Sequence, residues 1–168
     1  MNEPEVWLRG PLPGVPALLQ PVAHSLLQCR EEFAATLRAL TAAQLWARPG
    51  GAASVGFHLR HAAGSLDRLF TYARGERLSR TQLAALATEG DEDTAPGAAP
   101  ALLAALDEVI VRALAQLGAT EDASLLETRG VGRAQLPSTV LGLLFHAAEH
   151  TQRHAGQAVT TARIVRSQ

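Results

Sequence analysis

Four segments of this chain carry apolar residues at every third or fourth position, and that spacing decides most of what it can fold into. Leu19, Val22, Leu26, Cys29, Phe33, Leu37 and Leu40 form the first run; Val55, Leu59, Ala62, Leu66, Leu69 and Phe70 form the second. The third combines Leu102 and Leu103, Leu106, Val109 and Ile110, Ala113 and Leu114, and Leu117; the last includes Val140, Leu143, Ala147, Ala158 and Val165. Such spacing lines one side of an α-helix with apolar groups. Four amphipathic helices of roughly 18 to 28 residues bury their stripes most simply against one another. The spacing predicts an all-α fold, a four-helix bundle with long crossover loops.

Local signals set the boundaries. The first helix is expected from Pro16 to about Leu40. A short turn, TAAQLWA, follows, with a capping box of Thr41 and Gln44, before the breaker RPGGAA. Ser54 is a good N-cap and Gly75 a good stop for the second long helix. A short helical stretch near Thr81 to Ala87 precedes TEGDEDTAPGAAP, read as an acidic surface loop able to cross the end of a bundle. The third long helix is expected from about Pro100 to Leu117, with Gly118 after it. Glycines in TRGVGRAQLP, together with Pro137, exclude a continuous helix before the last one, which Ser138 is expected to cap and which runs to about Val165. No stretch alternates with a period of two, so no sheet is expected. With no internal repeat, the 168 residues read as a single domain over 1–168.

Composition narrows the function classes. The net charge is -1, with acids and bases interspersed, which argues against a nucleic-acid partner, whose phosphates need a basic face. Charged residues make up 18% and aromatics 4%, with Leu and Ala throughout. A charged fraction below the ~25% usual for globular domains fits closely packed helices. The single cysteine, Cys29, cannot form an internal disulfide and fits a reducing compartment. MNEPEVWLRG carries early acids and no apolar run, unlike a signal peptide, and nothing approaches the ~18 apolar residues of a membrane span. The expectation is a soluble, cytoplasmic protein with neither nucleic acid nor membrane as a partner.

The remaining signal is chemical. HAAEHTQRHAGQ spaces His146, His150 and His154 four residues apart on the last helix, so successive rings step round it by only about 40°. Val140, Leu143, Ala147, Ala158 and Val165 lie on the same side, which turns the ladder toward the bundle interior or its edge. Each imidazole has a donor and an acceptor to satisfy, and burying several unpartnered costs a few kcal/mol. A metal ion resolves this, because neutral imidazole binds Zn, Ni, Fe or Cu and an i, i+4 pair sets two rings at chelating distance. The alternative is a set of semi-buried histidines bonded to carbonyls or waters, and spacing alone leaves both open. A third ligand must come from another element. SVGFHLRHAAGSLDRL on the second long helix offers His58 and His61. His58 sits about 60° nearer the centre of its apolar stripe, with His61 toward the boundary, and geometry leaves that choice open too.

Both motifs resemble those of the DinB/YfiT-like metal-binding four-helix bundles. In that family's second-helix pattern a histidine followed by a small or aliphatic pair is a ligand, which in SVGFHLRHAAGSLDRL falls on His61. The last-helix pattern, H-x-x-x-H-x-G-Q, maps onto His150 and His154. Lengths and helix order agree, so the resemblance covers nearly the whole chain. It implies a metal centre of His61, His150 and His154, with Zn or Ni first among the ions and Fe, Mn or Cu also compatible. His58, His146 and Gln157 are then candidates to support a ligand or to face a substrate. One departure is Ala155, between His154 and Gly156, where relatives often carry arginine. Glu149, about 100° off the ladder's face, and His24, off the first stripe, read as solvated. Trp46 and Phe57 read as core, and Cys29 as a buried, inert thiol and not a nucleophile.

Three neutral imidazoles leave a divalent ion its Lewis acidity and open positions, as in catalytic sites and unlike closed structural ones. Relatives include thiol S-transferases and isomerases that work with low-molecular-weight thiols such as bacillithiol or mycothiol, and stress- or DNA-damage-associated proteins with no assigned activity. The resemblance therefore implies a metal-dependent transferase or isomerase acting on a small thiol and an electrophile, as a homodimer. The other class is a metal-binding but non-catalytic stress protein. Arg129 and Arg133, before the last helix, are candidates to hold an anionic cosubstrate.

Overall fold

Helical segments account for most of the computed structural model, which describes residues 3–167. In chain order the elements are α1 (Gln20–Leu37), α2 (Ala42–Trp46), α3 (Val55–Ala73), α4 (Arg80–Ala87), α5 (Ala98–Gly118), β1 (Thr128–Val131), β2 (Leu136–Thr139) and α6 (Val140–Arg166). The four long helices, α1, α3, α5 and α6, close a ring of contacts: α3 packs on α6 and α5, and α1 packs on the same two. Consecutive helices α1 and α3 therefore stand diagonally, and α2 lies in the connection between them, touching α3, α5 and α6. The core comes from the stripes. Leu26 and Phe33 on α1, Leu59 and Leu66 on α3, Leu106 and Ile110 on α5, and Leu144 on α6 are all essentially inaccessible. Among the described residues no helix is long and apolar enough to cross a membrane.

The helix ends follow the local signals closely. Thr41 and Gln44 form the reciprocal capping box at α2, and Ser54 Oγ accepts the Phe57 N–H at 3.2 Å to start α3. Gly75 ends that helix with φ +77°, a conformation that any side chain would strain. Other boundaries move. A 3-10 turn at Ala17–Leu19 leads into α1, which begins at Gln20 and not at Pro16. α5 starts at Ala98, after Gly97 with φ +94°, so Pro100 falls within the first turn.

The expected absence of a sheet is corrected by a small antiparallel hairpin. β1 and β2 pair Thr128 with Thr139 and Val131 with Leu136. Four residues per strand are too few for alternation to register, and Gly130 faces Pro137 across the pair. Pro137 is tolerated because both strands of a two-stranded ribbon are edges. The hairpin also moves the cap of α6. Ser138 is paired with Arg129 in the ribbon, and Thr139 accepts the Gly142 N–H at 3.0 Å instead.

Two local features generate tests. A Cβ on Gly56 would lie 2.8 Å from the Trp46 indole, so Trp46 packs directly on the backbone of α3. Gly56→Ala is expected to lower stability by about 1–3 kcal/mol through overpacking, read from the urea midpoint. Cys29 is fully buried, and burial, with the nearby Glu32 charge, pushes its thiol up to about 12. In the folded protein Cys29 should not react with an aromatic disulfide reagent at pH 8, and its labelling rate should track global unfolding.

Candidate metal centre

His58 and His61 project from α3, and His150 and His154 from α6, at the face where these two helices pack. Buried alanines flank the histidines, Ala62 and Ala63 on α3 and Ala147 and Ala155 on α6, and small side chains let helix axes approach. His61 Nε2 and His150 Nε2 stand 3.0 Å apart. The His154 ring centroid is 4.6 Å from those of both His61 and His150. One ligating nitrogen from each of His61, His150 and His154 lies within 4.8 Å of the others, and all three residues are half-buried.

A carboxylate fixes the first ring. His61 Nδ1 donates to Glu89 Oε2 at 2.7 Å, and Glu89 Oε1 accepts from the Arg68 guanidinium. Burial alone raises the Glu89 carboxyl, but the bonds from His61 and Arg68 and their charges outweigh it, holding the group below its ordinary value. An ionised carboxylate only accepts, so the hydrogen sits on His61 Nδ1 and the Nε2 lone pair faces the cluster. Glycine makes room for this arrangement. A Cβ on Gly64 would collide with the Glu89 carboxylate and lie 2.8 Å from the Arg68 guanidinium.

A second imidazole stands behind His154. His58, only 6% exposed, sets its Nδ1 3.0 Å from His154 Nδ1. One of these nitrogens must carry the shared hydrogen. If His154 donates it, His154 Nε2 is left as a lone pair for the cluster; if His58 donates it, His154 Nε2 carries a hydrogen and cannot ligate. The third ring is incompletely satisfied, for His150 Nδ1 is buried with no hydrogen-bond partner.

Imidazole nitrogens converging from two helices within 4.8 Å fit a divalent first-row ion better than a metal-free polar network, which leaves His150 Nδ1 without a partner. Neutral imidazole nitrogens suit such ions, and the rings are held neutral. Burial is the first cause, followed by neighbouring positive charge, lowering His58 and His150 and taking His154 down to about 4.

The other expected residues lie outside the three-nitrogen cluster. His146 is half-exposed, with its ring centroid 5.5 Å from that of His150, and it pairs with Glu149, which also binds Arg153. Gln157 is exposed and its side chain has no hydrogen-bond partner among the described residues, although it stands only three positions, about 4.5 Å along the helix, beyond His154. His24 faces the Gly10 carbonyl at 3.0 Å. Arg129 serves the fold, donating to the Ala73 carbonyl at the end of α3 and pairing with Glu127, while Arg133 is exposed at the hairpin turn.

Trp46 is core as expected, but Phe57 is not: it is half-buried, outside the core, and its ring stacks on His61 at 5.5 Å with an interplanar angle of 11°. Sequence reasoning missed Glu89 and Arg68. Arg68 was within reach, seven residues after His61 and so on the same helix face. Glu89 was hidden in the acidic segment read as a surface loop, yet it is 6% exposed.

Fold and site together define a four-helix bundle with a three-histidine cluster able to hold a metal ion. The chain belongs to the DinB superfamily, whose pattern matches residues 25–158. A solved structure, a conserved protein of a locus from Enterococcus faecalis, shares the fold with a TM-score of 0.68 at 22% identity, covering 89% of this chain and 98% of that one. No curated protein matches.

The buried histidines make the metal-free protein acid-sensitive. With folded values depressed below 6.5, His58, His150 and His154 take up protons more readily once unfolded. Above 6.5 both states are neutral and nothing is lost; below it, stability falls as the pH drops toward about 4. Glu89, also depressed, adds a loss of the same sign below its ordinary 4.5. The urea midpoint of metal-stripped protein should therefore decline from pH 6.5 to 4, and less steeply in His154→Ala.

Proposed function

We propose that this protein is a metal-dependent enzyme in which His61, His150 and His154 hold one divalent transition ion, Zn or Ni before Fe, Mn or Cu. The observation that carries the reading is the convergence of three imidazole nitrogens within 4.8 Å, one of them anchored by a buried carboxylate. When bound, such an ion supplies Lewis acidity and open coordination positions that can polarise a substrate or hold a thiol as thiolate. The chain's own residues do the rest. Glu89 keeps the hydrogen on His61 Nδ1, Arg68 keeps Glu89 ionised, and His58 accepts from His154 Nδ1. Phe57 covers one face of His61 and excludes water there.

The reaction we propose is transfer or isomerisation with a low-molecular-weight thiol, such as bacillithiol or mycothiol, as nucleophile toward an electrophile. What supports thiol use is the resemblance of the two histidine motifs to those of thiol-dependent relatives. Cys29 takes no part, because its thiol is buried behind Gln152 and stays protonated.

Purified, untagged protein is expected to contain close to one equivalent of a first-row metal by elemental analysis, and stripped protein to take up Zn or Ni; His150→Ala should do neither. Absence of metal in both would remove the reading. Glu89→Gln and Gly64→Ala should weaken Zn affinity about 10–100-fold with helicity intact, measured by chelator competition. Turnover of an electrophile with a thiol panel should be lost in His150→Ala; a metal-loaded protein inert across the panel would instead indicate a non-catalytic metal protein.

A further inference from the structure

Beside the histidine cluster lies a cleft of about 160 Å³, framed by Trp46 at the end of α2 and Arg48 just beyond it, Ser54 and Phe57 at the start of α3, and Gly90 and Glu92 in the acidic loop. Its size is close to that of a 150 Å³ protein cavity known to take one benzene ring. In a chain with only 4% aromatics, two aromatic side chains wall this one space. The Trp46 wall is rigid. Its indole N–H donates to the Asp93 carbonyl at 2.5 Å, the Arg60 guanidinium sits 5.0 Å over its ring, and the Gly56 backbone supports it directly. Phe57 is the wall shared with the metal centre, because its ring is the one stacked on His61.

Arg48 stands exposed at the mouth and forms no ion pair among the described residues. Arg129, the arginine whose sequence position suggested an anion site, is by contrast engaged in the fold. Glu92 shares the rim and opposes a second negative charge.

We infer that this cleft binds the planar aromatic ring of the second reactant, with a single carboxylate on that ring directed to Arg48. The role as a reactant site rests on the metal-enzyme reading above; the ring binding itself needs no metal. Aromatic side chains in the lining favour a ring over a branched chain, since aromatic groups pair offset or edge-on. A guanidinium fork matches a carboxylate in two bonds.

The test titrates metal-stripped protein with benzoate, following Trp46 fluorescence in a Trp7→Phe background. Benzylamine and cyclohexanecarboxylate serve as comparators. Saturable benzoate binding is expected, at least tenfold tighter than either comparator. Arg48→Gln should abolish the preference over benzylamine, and Glu92→Gln should tighten benzoate.

Ala53→Phe, which fills the cleft from its rim without touching the core, should weaken benzoate at least tenfold with an unchanged thermal melt. No saturation, equal binding of cyclohexanecarboxylate, or an Ala53→Phe variant that binds normally would overturn the proposal. Benzoate binding in a protein that never takes up metal would remove the metal reading and with it the reactant role. Metal uptake without benzoate binding would remove the ring site alone.

Discussion

Neutral imidazoles that face one another cannot all be satisfied, and much of the structure between α3 and α6 answers that constraint. With its Nδ1 hydrogen given to Glu89, His61 can only accept at Nε2, so the hydrogen of the 3.0 Å contact with His150 belongs to His150. A neutral ring has one hydrogen to give, and His150 Nδ1 is then a bare, buried acceptor without a donor. Protonation is a poor escape, because burial and mutual repulsion hold these rings neutral. A cation accepting one lone pair from each ring would end the competition between the facing nitrogens of His61 and His150.

The same logic extends outward to groups that bear no resemblance to ligands. A buried carboxylate needs its own partners, and Glu89 has two, His61 and Arg68. Its approach is possible because Gly64, one turn from His61 on α3, presents no side chain. The Glu89–Arg68 ion pair is internally neutral, so it brings no net charge to a divalent ion. Such an ion would keep its attraction for anionic reactants, in keeping with a thiolate and with an aromatic carboxylate held nearby. Ala155, where the family that the motifs resemble often carries arginine, is fully buried, so this site lacks that positive charge.

The elements legible in sequence are those whose signals are local. Helical stripes and the caps at Thr41 and Ser54 depend on residues within four positions, and the four long helices stand where those signals put them. What escaped depends on pairing over distance. The hairpin is held by cross-strand bonds between segments too short to show a period, and it takes Ser138 from the cap and leaves Thr139 in its place. Glu89 lies 28 residues from His61, within an acidic segment where nothing distinguishes a buried carboxylate from solvated neighbours. Its partner Arg68 lies seven residues after His61, so helix periodicity places both on one side of α3, and a charged group there needs an acid to pair with.

The choice between His58 and His61 bears on how burial ranks candidate ligands. The helical wheel favoured His58 because it points nearer the core, and it does, at 6% exposure. Yet His61, with its side chain 23% exposed, belongs to the three-nitrogen cluster. A ligand that serves an open coordination sphere has to stand where a reactant can arrive, at the boundary of the stripe; a ring that orients a ligand needs the reverse, a sealed place where its hydrogen bond meets no competition from water. His58 occupies that second position against His154. Apolar periodicity ranks residues by depth and so finds the supporting histidine first, whereas the family pattern, which reflects chemistry and not depth, falls on the shallower one.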